Sequence, residues 1–522
     1  MRRRTIDQGY FVLVSPPIMH AQAASPHSTN LPPQINKWLS FAAIACGVFL
    51  ATVDGSIVNV AMPTMVRELH SNFPTVQWVV LGYLLTLALL LPLVGRVADM
   101  YGKKHIYTLG FIFFTVASLL CGLAPSVGWL IAARVLQAFG ASMVMALGPA
   151  LVAESFPAEE RGKAMGLIGT VVSLGVIAGP TIGGVLIDHL SWHWIFFVNL
   201  PVGILGAVLG FKYIPSMLQR KESGFDIPGS LALLTFLLCL LLGLTHGQTA
   251  GFLHWQVLSL FAVSILALVA FLRIEAKALF PVIDLRLFRH NEFSAGLAVG
   301  SMIFTGFSGT MFLLPFYLEN VRGLSPSLTG LALIVHPIAL GIVAPFAGVA
   351  ADRWGPRRIT LLGLALLVGG CVGLTTLGPE TTVLGYILRI MPIGLGFGLF
   401  QSPNNSAILS AAPREHWGVA SGLLSISRVF GQVAGISIFG AVWAARTLAN
   451  AGTGADPAIA PPLSQMVGMH QTISVVCVLI LAALIIQWRL GKNRGPDQRP
   501  RDCQRSEEDK VIETAALSSI GD

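Results

Sequence analysis

Long apolar runs separated by short polar stretches make up most of the sequence. Between residues 38 and 490 the runs fall near 38–62, 76–98, 106–124, 128–153, 164–187, 193–214, 229–246, 256–273, 294–318, 326–351, 359–377, 382–410, 418–445 and 470–490. Each can cross a hydrocarbon layer of ~30 Å as a helix rising ~1.5 Å per residue. Lipid offers backbone amides no partner, so runs of this length predict helices and not strands. The pattern therefore predicts an all-α integral membrane chain with fourteen transmembrane helices. Polar sequence at 1–37 and 491–522 predicts disordered tails. Arg2, Arg3 and Arg4, followed by an apolar stretch at 10–14, superficially resemble a signal peptide, but the stretch is too short for one.

The polar breaks contain a repeat. Gly95, Asp99 and Gly102, in the charged turn that ends in Lys103 and Lys104, recur 253 residues later as Gly348, Asp352 and Gly355, followed by Pro356, Arg357 and Arg358. A shift of 256 lays Pro157, Glu159, Gly162, Ala164, Gly166 and Leu167 over Pro413, Glu415, Gly418, Ala420, Gly422 and Leu423. The same shift lays Gly175, Gly179 and Gly184 over Gly431, Gly435 and Gly440, and Arg134 lies near Arg389 at an offset of 255. These matches predict two six-helix halves, 38–214 and 291–490, with a helix pair and its linkers inserted at 215–290. Parallel six-helix repeats are a known transporter plan.

Composition agrees. The chain is 54% hydrophobic and 11% charged, against roughly a quarter charged in soluble domains. A net charge of +8 raises the question of nucleic acid. The placement of the charges answers it: 27 of the 33 Lys and Arg fall on one side if both termini are inside. Arg67, Arg322 and Arg446 fall on the other side, and Arg134, Arg389 and Arg428 lie within helices. Such asymmetry predicts cytoplasmic termini and excludes a nucleic-acid role. Five of the six cysteines lie in apolar runs and Cys503 lies in the tail, so no disulfide or metal site is expected. No GxxxxGK[ST] loop and no nucleophile constellation occurs, which argues against an ATPase or another enzyme and against any cofactor.

At this point the chain resembles the major facilitator superfamily, specifically its fourteen-helix drug:proton antiporters. Gly95–Lys104 resembles the signature between helices 2 and 3, with Lys103 where Arg is commoner. Asp54, Ile57, Val58, Asn59, Val60, Ala61 and Pro63 resemble the helix-1 signature, from which Gly55 departs mildly. Arg134, Gln137 and Gly140 resemble the helix-4 signature, and Gly175, Gly179, Pro180, Gly183 and Gly184 the helix-5 antiporter signature. Trp192, Trp194, Asn199 and Pro201 resemble the turn that follows. The resemblance implies a proton-coupled exporter of small hydrophobic or amphipathic compounds in a bacterial inner membrane. Exporters of a fatty acid, siderophore or amino acid, and facilitators or symporters, are the alternatives. Its partners would be small-molecule substrate, protons and the lipid bilayer; a periplasmic adaptor with an outer-membrane channel is compatible with it.

Elementary geometry sharpens the candidates. Counting from the helix ends, Asp54 lies ~22 Å from the inner surface and Arg134 ~7–8 Å from the outer one, which are similar depths in a ~30 Å core. Buried charges in lipid are costly and usually paired. Asp54 is therefore expected to carry the proton and Arg134 to hold its charge, with a permanent structural ion pair as the competing reading. Gly175, Gly179, Pro180, Gly183 and Gly184 predict a kinked helix in close contact with a neighbour. Gly95 is expected to allow close helix contact, and Asp99 to form a cytoplasmic latch with Gly102, Lys103 and Lys104. Glu319 is expected to be wet at the outer surface, or otherwise to attract a cationic substrate. His336 is expected to be a packed polar residue. Arg389 and Arg428 pair either with helix carbonyls or with substrate. The resemblance places a central cavity among helices 1, 4, 9 and 12, with Asn59, Glu319, Arg389, Gln401, Asn404 and Asn405 as polar candidates.

Overall fold

A computed structural model of the protein describes residues 37–215, 227–277, 288, 291–411, 417–452 and 456–490. The tails at 1–36 and 491–522, most of the linker sequence, Asp226 and Arg414 lie outside the described residues, as do the side chains of Arg96 and Asp99.

The first part of the chain forms α1 Lys37–Glu68, α2 Phe73–Tyr101, α3 Lys103–Gly122, α4 Val127–Ser155, α5 Ala158–His189, α6 Trp194–Phe197 and α7 Asn199–Tyr213. Next come α8 Ile227–Ala250 and α9 Trp255–Glu275. The rest forms α10 Asn291–Phe316, which runs into a π turn at Tyr317–Val321, then α11 Pro326–Leu333, α12 Val335–Trp354, α13 Pro356–Leu374, α14 Val383–Ala411, α15 Trp417–Ala451 and α16 Pro462–Leu490. Among the described residues these give fourteen spans long and apolar enough to cross a membrane, and no strand.

All fourteen coincide with the apolar runs, but several extend beyond them. α1 continues through Pro63 to Glu68, α5 starts at Ala158 instead of 164, and α16 starts at Pro462 instead of 470. The added turns are amphipathic or polar at the helix ends, so an apolar count stops short of them. The run at 193–214 breaks at Val198 into α6 and α7, and the run at 326–351 breaks at Ile334 into α11 and α12.

Local chemistry fixes the turns. Asn72 caps α2 by accepting from Thr75 N at 2.9 Å, and Ser126 caps α4 by accepting from Trp129 N. Gly102 at φ 93° joins α2 to α3, and Gly355 at φ 86° joins α12 to α13. The second glycine of each repeated turn thus takes a left-handed conformation that other residues adopt only at a cost.

Between helices, small residues set the spacing. In lipid, close van der Waals contact holds helices together, because lipid tails are as apolar as the side chains. A Cβ on Gly140 would lie 2.6 Å from Gly110 O, and one on Gly363 would lie 2.7 Å from Gly396 O. The first pair joins α3 to α4 and the second joins α13 to α14. Gly175 and Gly179 of α5 receive Thr52 and Ser56 of α1. Their repeat counterparts Gly431 and Gly435 of α15 receive Ser301 and Thr305 of α10. α8 and α9 pack on each other, and α8 leans on α2 and α15 where those two helices meet.

The two parts touch at the end opposite the Gly102 and Gly355 turns. There Gly184 abuts the Pro326 carbonyl and Gly330 abuts the Pro180 carbonyl. Phe73, Phe312, Phe316 and Trp443 form an aromatic cluster, with Phe73 and Trp443 ring centroids 4.9 Å apart. Phe73 N donates to Asp456 Oδ2 at 2.7 Å, and Gln77 Nε2 donates to Ile436 O at 2.6 Å. Toward the turn end Gly166, Gly169 and Gly422 are exposed, with no described atom within 4 Å of a Cβ placed there. Gly95 also meets open space, so its expected role in close helix contact is not realised in this state.

The glycine contacts yield a direct prediction. Gly140→Val and Gly363→Val push a side chain into backbone, which cannot yield, and should each cost about 1–3 kcal/mol or more. Gly369→Ala adds a Cβ to open space and should be neutral or slightly stabilising. Thermal unfolding of purified protein in detergent reads the difference, and equal melting for all three would refute this account of the packing.

Candidate functional site

Asp54 lies near the middle of α1, on a helix that is apolar almost all round. Its carboxylate faces α4, where Arg134 and Gln137 stand three residues apart and therefore on one face. Arg134 Nη1 donates to Asp54 Oδ2 at 2.6 Å. Gln137 Nε2 donates to Asp54 Oδ1 at 2.8 Å, and Asn199 Nδ2, from the first turn of α7, donates to the same oxygen at 3.1 Å. Both carboxylate oxygens are thus held by three donors.

A second set of contacts holds the donors. Arg134 also gives Nη1 to Gln137 Oε1 at 2.6 Å and Nε to Val79 O of α2 at 3.2 Å. Its guanidinium lies 4.1 Å from the centre of the Tyr83 ring. Ser118 of α3 accepts from Gln137 and Asn199 and donates to Phe196 O at 2.9 Å. Asp54, Gln137 and Ser118 are 0% exposed, and Arg134 and Asn199 are 1% exposed. A charged network with this little solvent contact keeps its charges only while its partners stay in place.

The same stretch of α1 is gripped from another side. Gly175, Gly179 and Gly183 of α5 press on Thr52, Ser56 and Ile57, and Ser56 Oγ donates to Gly175 O at 3.4 Å. Pro180 and Gly184 of the same helix touch α11. α5 therefore contacts both the helix that carries Asp54 and the first helix segment of the other part. A shift of α5 has a direct mechanical route to the carboxylate.

Asp54 and Arg134 meet as their depths predict. The cavity candidates do not form one cluster. Arg389 lies in the second turn of α14, where Nε donates to Thr376 Oγ1 at 2.8 Å and Nη1 to Gly385 O at 2.8 Å. Gln401 and Asn404 come twelve and fifteen residues later on the same helix, roughly 18–22 Å along its axis. Arg389 therefore stands apart from them, held by a hydroxyl and a helix carbonyl. Asn404 is buried and donates to Gly296 O at 3.4 Å, while Gln401 and Asn405 are half-buried. Asn59 is half-buried, with its Oδ1 lacking a partner. His336 is packed, as expected, against Phe307 at 4.5 Å and Phe397 at 6.0 Å.

Glu319 corrects the reading of a wet surface carboxylate. It sits in the π turn, its side chain is 3% exposed, and it pairs with Arg67 Nη2 at 3.1 Å. The end of α1 covers it from the other part of the molecule, a contact that the local sequence does not reveal. Arg67 also reaches Asn320 Oδ1 at 3.4 Å. In the repeated turn, Lys103 forms an ion pair with Glu154 of α4, and Lys104 lies 5.9 Å from the Phe211 ring centre. Asp352 of the second copy is exposed, and a Cβ at Gly348 would lie 3.8 Å from Ser402 Oγ.

The sequence reading omitted Gln137, Asn199 and Ser118 from the charged site. Gln137 carried a signal in its three-residue spacing from Arg134, and Asn199 in being a polar residue inside an apolar run. Ser118 carried none, since serine is common in such helices.

Comparison with known proteins places this geometry in context. Residues 44–436 match the family model described as the Major Facilitator Superfamily. The chain is 36% identical over 410 residues to the riboflavin transporter RibZ of Clostridioides difficile, covering 78% of this chain and 88% of that protein. It is 32% identical over 430 residues to the multidrug resistance protein Stp of Mycobacterium tuberculosis, covering 82% and 80%. It is also 32% identical over 410 residues to the tetracenomycin C resistance and export protein of Streptomyces glaucescens, covering 78% and 76%. The fold matches the inward-facing structure of a bacterial homolog of the human lysosomal transporter Spinster, with a TM-score of 0.64 and 15% identity over 89% of this chain and 100% of that one. The chain is a membrane transporter, not an enzyme, and it belongs to the major facilitator superfamily, among relatives that include multidrug exporters.

Proposed function

We propose that the protein is a secondary exporter that exchanges small hydrophobic or amphipathic compounds for protons across a bacterial inner membrane. The observation that carries this reading is the sealed pair of Asp54 and Arg134, beside a helix that touches both parts of the molecule. In this reading Asp54 carries the exchanged proton, which competes with Arg134, Gln137 and Asn199 for the carboxylate oxygens. Movement of α5 and α1 couples that exchange to the opening of a path. The basic end of the helices faces the cytoplasm and both termini lie there. In that orientation the exposed glycines toward the turn end fit an inward-facing state. The turn at Gly95, Asp99, Gly102, Lys103 and Lys104, with its second copy at Gly348, Asp352 and Gly355, acts as the latch of the opposite state.

The halves at 38–214 and 291–490 rock about the contacts at the outer end, with α8 and α9 as a peripheral support. Arg67 and Glu319 close that end and bridge the halves. Asn59, Gln401 and Asn404 supply polar contacts along the path. Export of one specific metabolite is a second reading, favoured by the similarity to a riboflavin transporter.

Transport into everted vesicles across a panel of dyes and metabolites tests the coupling. Uptake should collapse when the pH gradient is dissipated, and flux that survives dissipation removes proton exchange from consideration. Asp54→Asn should abolish gradient-driven uptake; a rate matching the natural protein would overturn the role of Asp54.

Stability separates the ion pair from its transport role. Arg134→Gln leaves a buried carboxylate uncompensated and should cost about 3–5 kcal/mol. Adding Asp54→Asn should recover much of that loss, and additive losses in melting experiments would show that the two residues do not act as a pair.

Glu319→Gln removes the charge that Arg67 grips. In an Asn59→Cys background, labelling by a membrane-impermeant thiol reagent from outside should become severalfold faster. An unchanged rate would remove this contact from the outer closure.

A further inference from the structure

Arg134, Arg389 and Arg428 all lie within spans, and their surroundings differ. Arg134 has Asp54. Arg389 has Thr376 Oγ1 and Gly385 O. Arg428, twelve residues into α15, has neither a carboxylate nor a hydrogen-bond acceptor among the described residues, and its Nε is buried without a partner. A cation held inside a membrane helix is costly, and such residues are usually paired or line a solute path. No part of the charged site described above explains Arg428.

What stands beside it is a wall of rings. The Arg428 guanidinium lies 5.3 Å from the centre of the Phe304 ring of α10. Phe304 meets Phe397 of α14 edge-on at 5.2 Å and 89°. Phe397 lies 4.5 Å from Phe307 at 34°, and Phe307 lies 4.5 Å from His336 of α12 at 36°. Four helices thus contribute to one continuous aromatic surface with a guanidinium at one end and an imidazole at the other. His336 Nε2 is buried and has no partner. Arg428 and Phe307 are the half-exposed members, while Phe304, Phe397 and His336 are buried behind them.

This arrangement has a defined chemical preference. Rings in offset contact favour a further flat ring placed against them. A guanidinium offers a planar fork of donors that suits a carboxylate or sulfonate. A cationic compound meets the like charge of Arg428 here, and two buried carboxylates elsewhere are already engaged: Asp54 has three donors, and Glu319 is held by Arg67.

We propose that Arg428, Phe304, Phe307, Phe397 and His336 form a substrate subsite selective for planar aromatic acids. The acid group lies against Arg428 and its ring lies along Phe307, with Phe304, Phe397 and His336 packed behind as the wall that holds both in place. The proposal rests on the reading of the protein as a small-molecule exporter and narrows its substrates to aromatic anions over aromatic cations.

The test is equilibrium binding to the full-length protein in lipid nanodiscs, with no gradient present. The probes are 2-naphthoate, 2-naphthalenemethanol and 2-naphthylmethylammonium, which share a ring system and differ in charge. Naphthoate should bind at least about tenfold more tightly than either of the others, the scale of one charge-assisted hydrogen bond. Arg428→Gln should remove that preference and leave the neutral alcohol unaffected, Arg428→Lys should keep part of it, and Phe307→Leu should weaken all three probes. Melting temperatures of the variants establish that each is folded. Equal binding of the three probes, or a naphthoate preference that survives Arg428→Gln in folded protein, overturns the subsite. Gradient-driven flux of other panel compounds alongside that result leaves export standing and removes the subsite alone. Selective naphthoate binding without flux of any compound removes export and leaves the subsite.

Discussion

A carboxylate placed where no water can reach it constrains everything around it. Asp54 satisfies that constraint with one cation and two amides, drawn from α4 and α7, which α2 and α3 hold in turn. The helices of the first part of the chain are thereby tied to one another through a point near the middle of α1. The tie is made of charge-assisted hydrogen bonds, and separating it leaves a buried charge without a partner, whereas an apolar contact that opens slightly loses only part of a small dispersion energy. A small relative movement of α1 or α4 changes the energy of the pair far more than it changes the packing energy of the leucines nearby.

The glycine contacts supply the complementary property. Close backbone approach at Gly110 and Gly140, and again at Gly363 and Gly396, makes α3 with α4 and α13 with α14 rigid pairs. The contacts of α5 on α1 also use glycine, but there the nearest atoms are the hydroxyls of Thr52 and Ser56, whereas Gly431 and Gly435 of α15 meet the main chain of Ser301 and Thr305 in α10. Rigid pairs joined along smooth seams move as bodies, and side chains need not repack for one pair to slide on its neighbour. The molecule divides its bonding into stiff units and a single sensitive charge.

Much of this was legible in the sequence, for physical reasons. Span length is dictated by bilayer thickness, so apolar run length located every span. Depth counting along antiparallel helices brought Asp54 to Arg134. The repeated spacing of Gly102 and Gly355 marked two turns that share one backbone conformation. What was hidden depended on contacts between distant parts of the chain. Glu319 ends a helix, which reads as a wet position until Arg67, 252 residues away, is laid over it. Asn199 follows a break at Val198 that an apolar run does not mark. Gly110 and Gly363 are two among 55 glycines, and nothing local distinguishes a glycine that touches backbone from one that faces lipid. For Arg389 the sequence left helix carbonyls and substrate both open, and it pairs with the Gly385 carbonyl and Thr376 Oγ1.

The contacts between the two parts, at the end opposite the Gly102 and Gly355 turns, draw heavily on main-chain atoms. Phe73 offers its amide, Ile436 its carbonyl, and Pro326 and Pro180 the carbonyls on which Gly184 and Gly330 rest. Main-chain groups are the same whatever residue carries them. A lineage can therefore exchange side chains along the path, and with them its cargo, while the seal that stops leakage stays the same. The relatives named as a riboflavin transporter and as a tetracenomycin C resistance and export protein differ in just this respect, in what they carry.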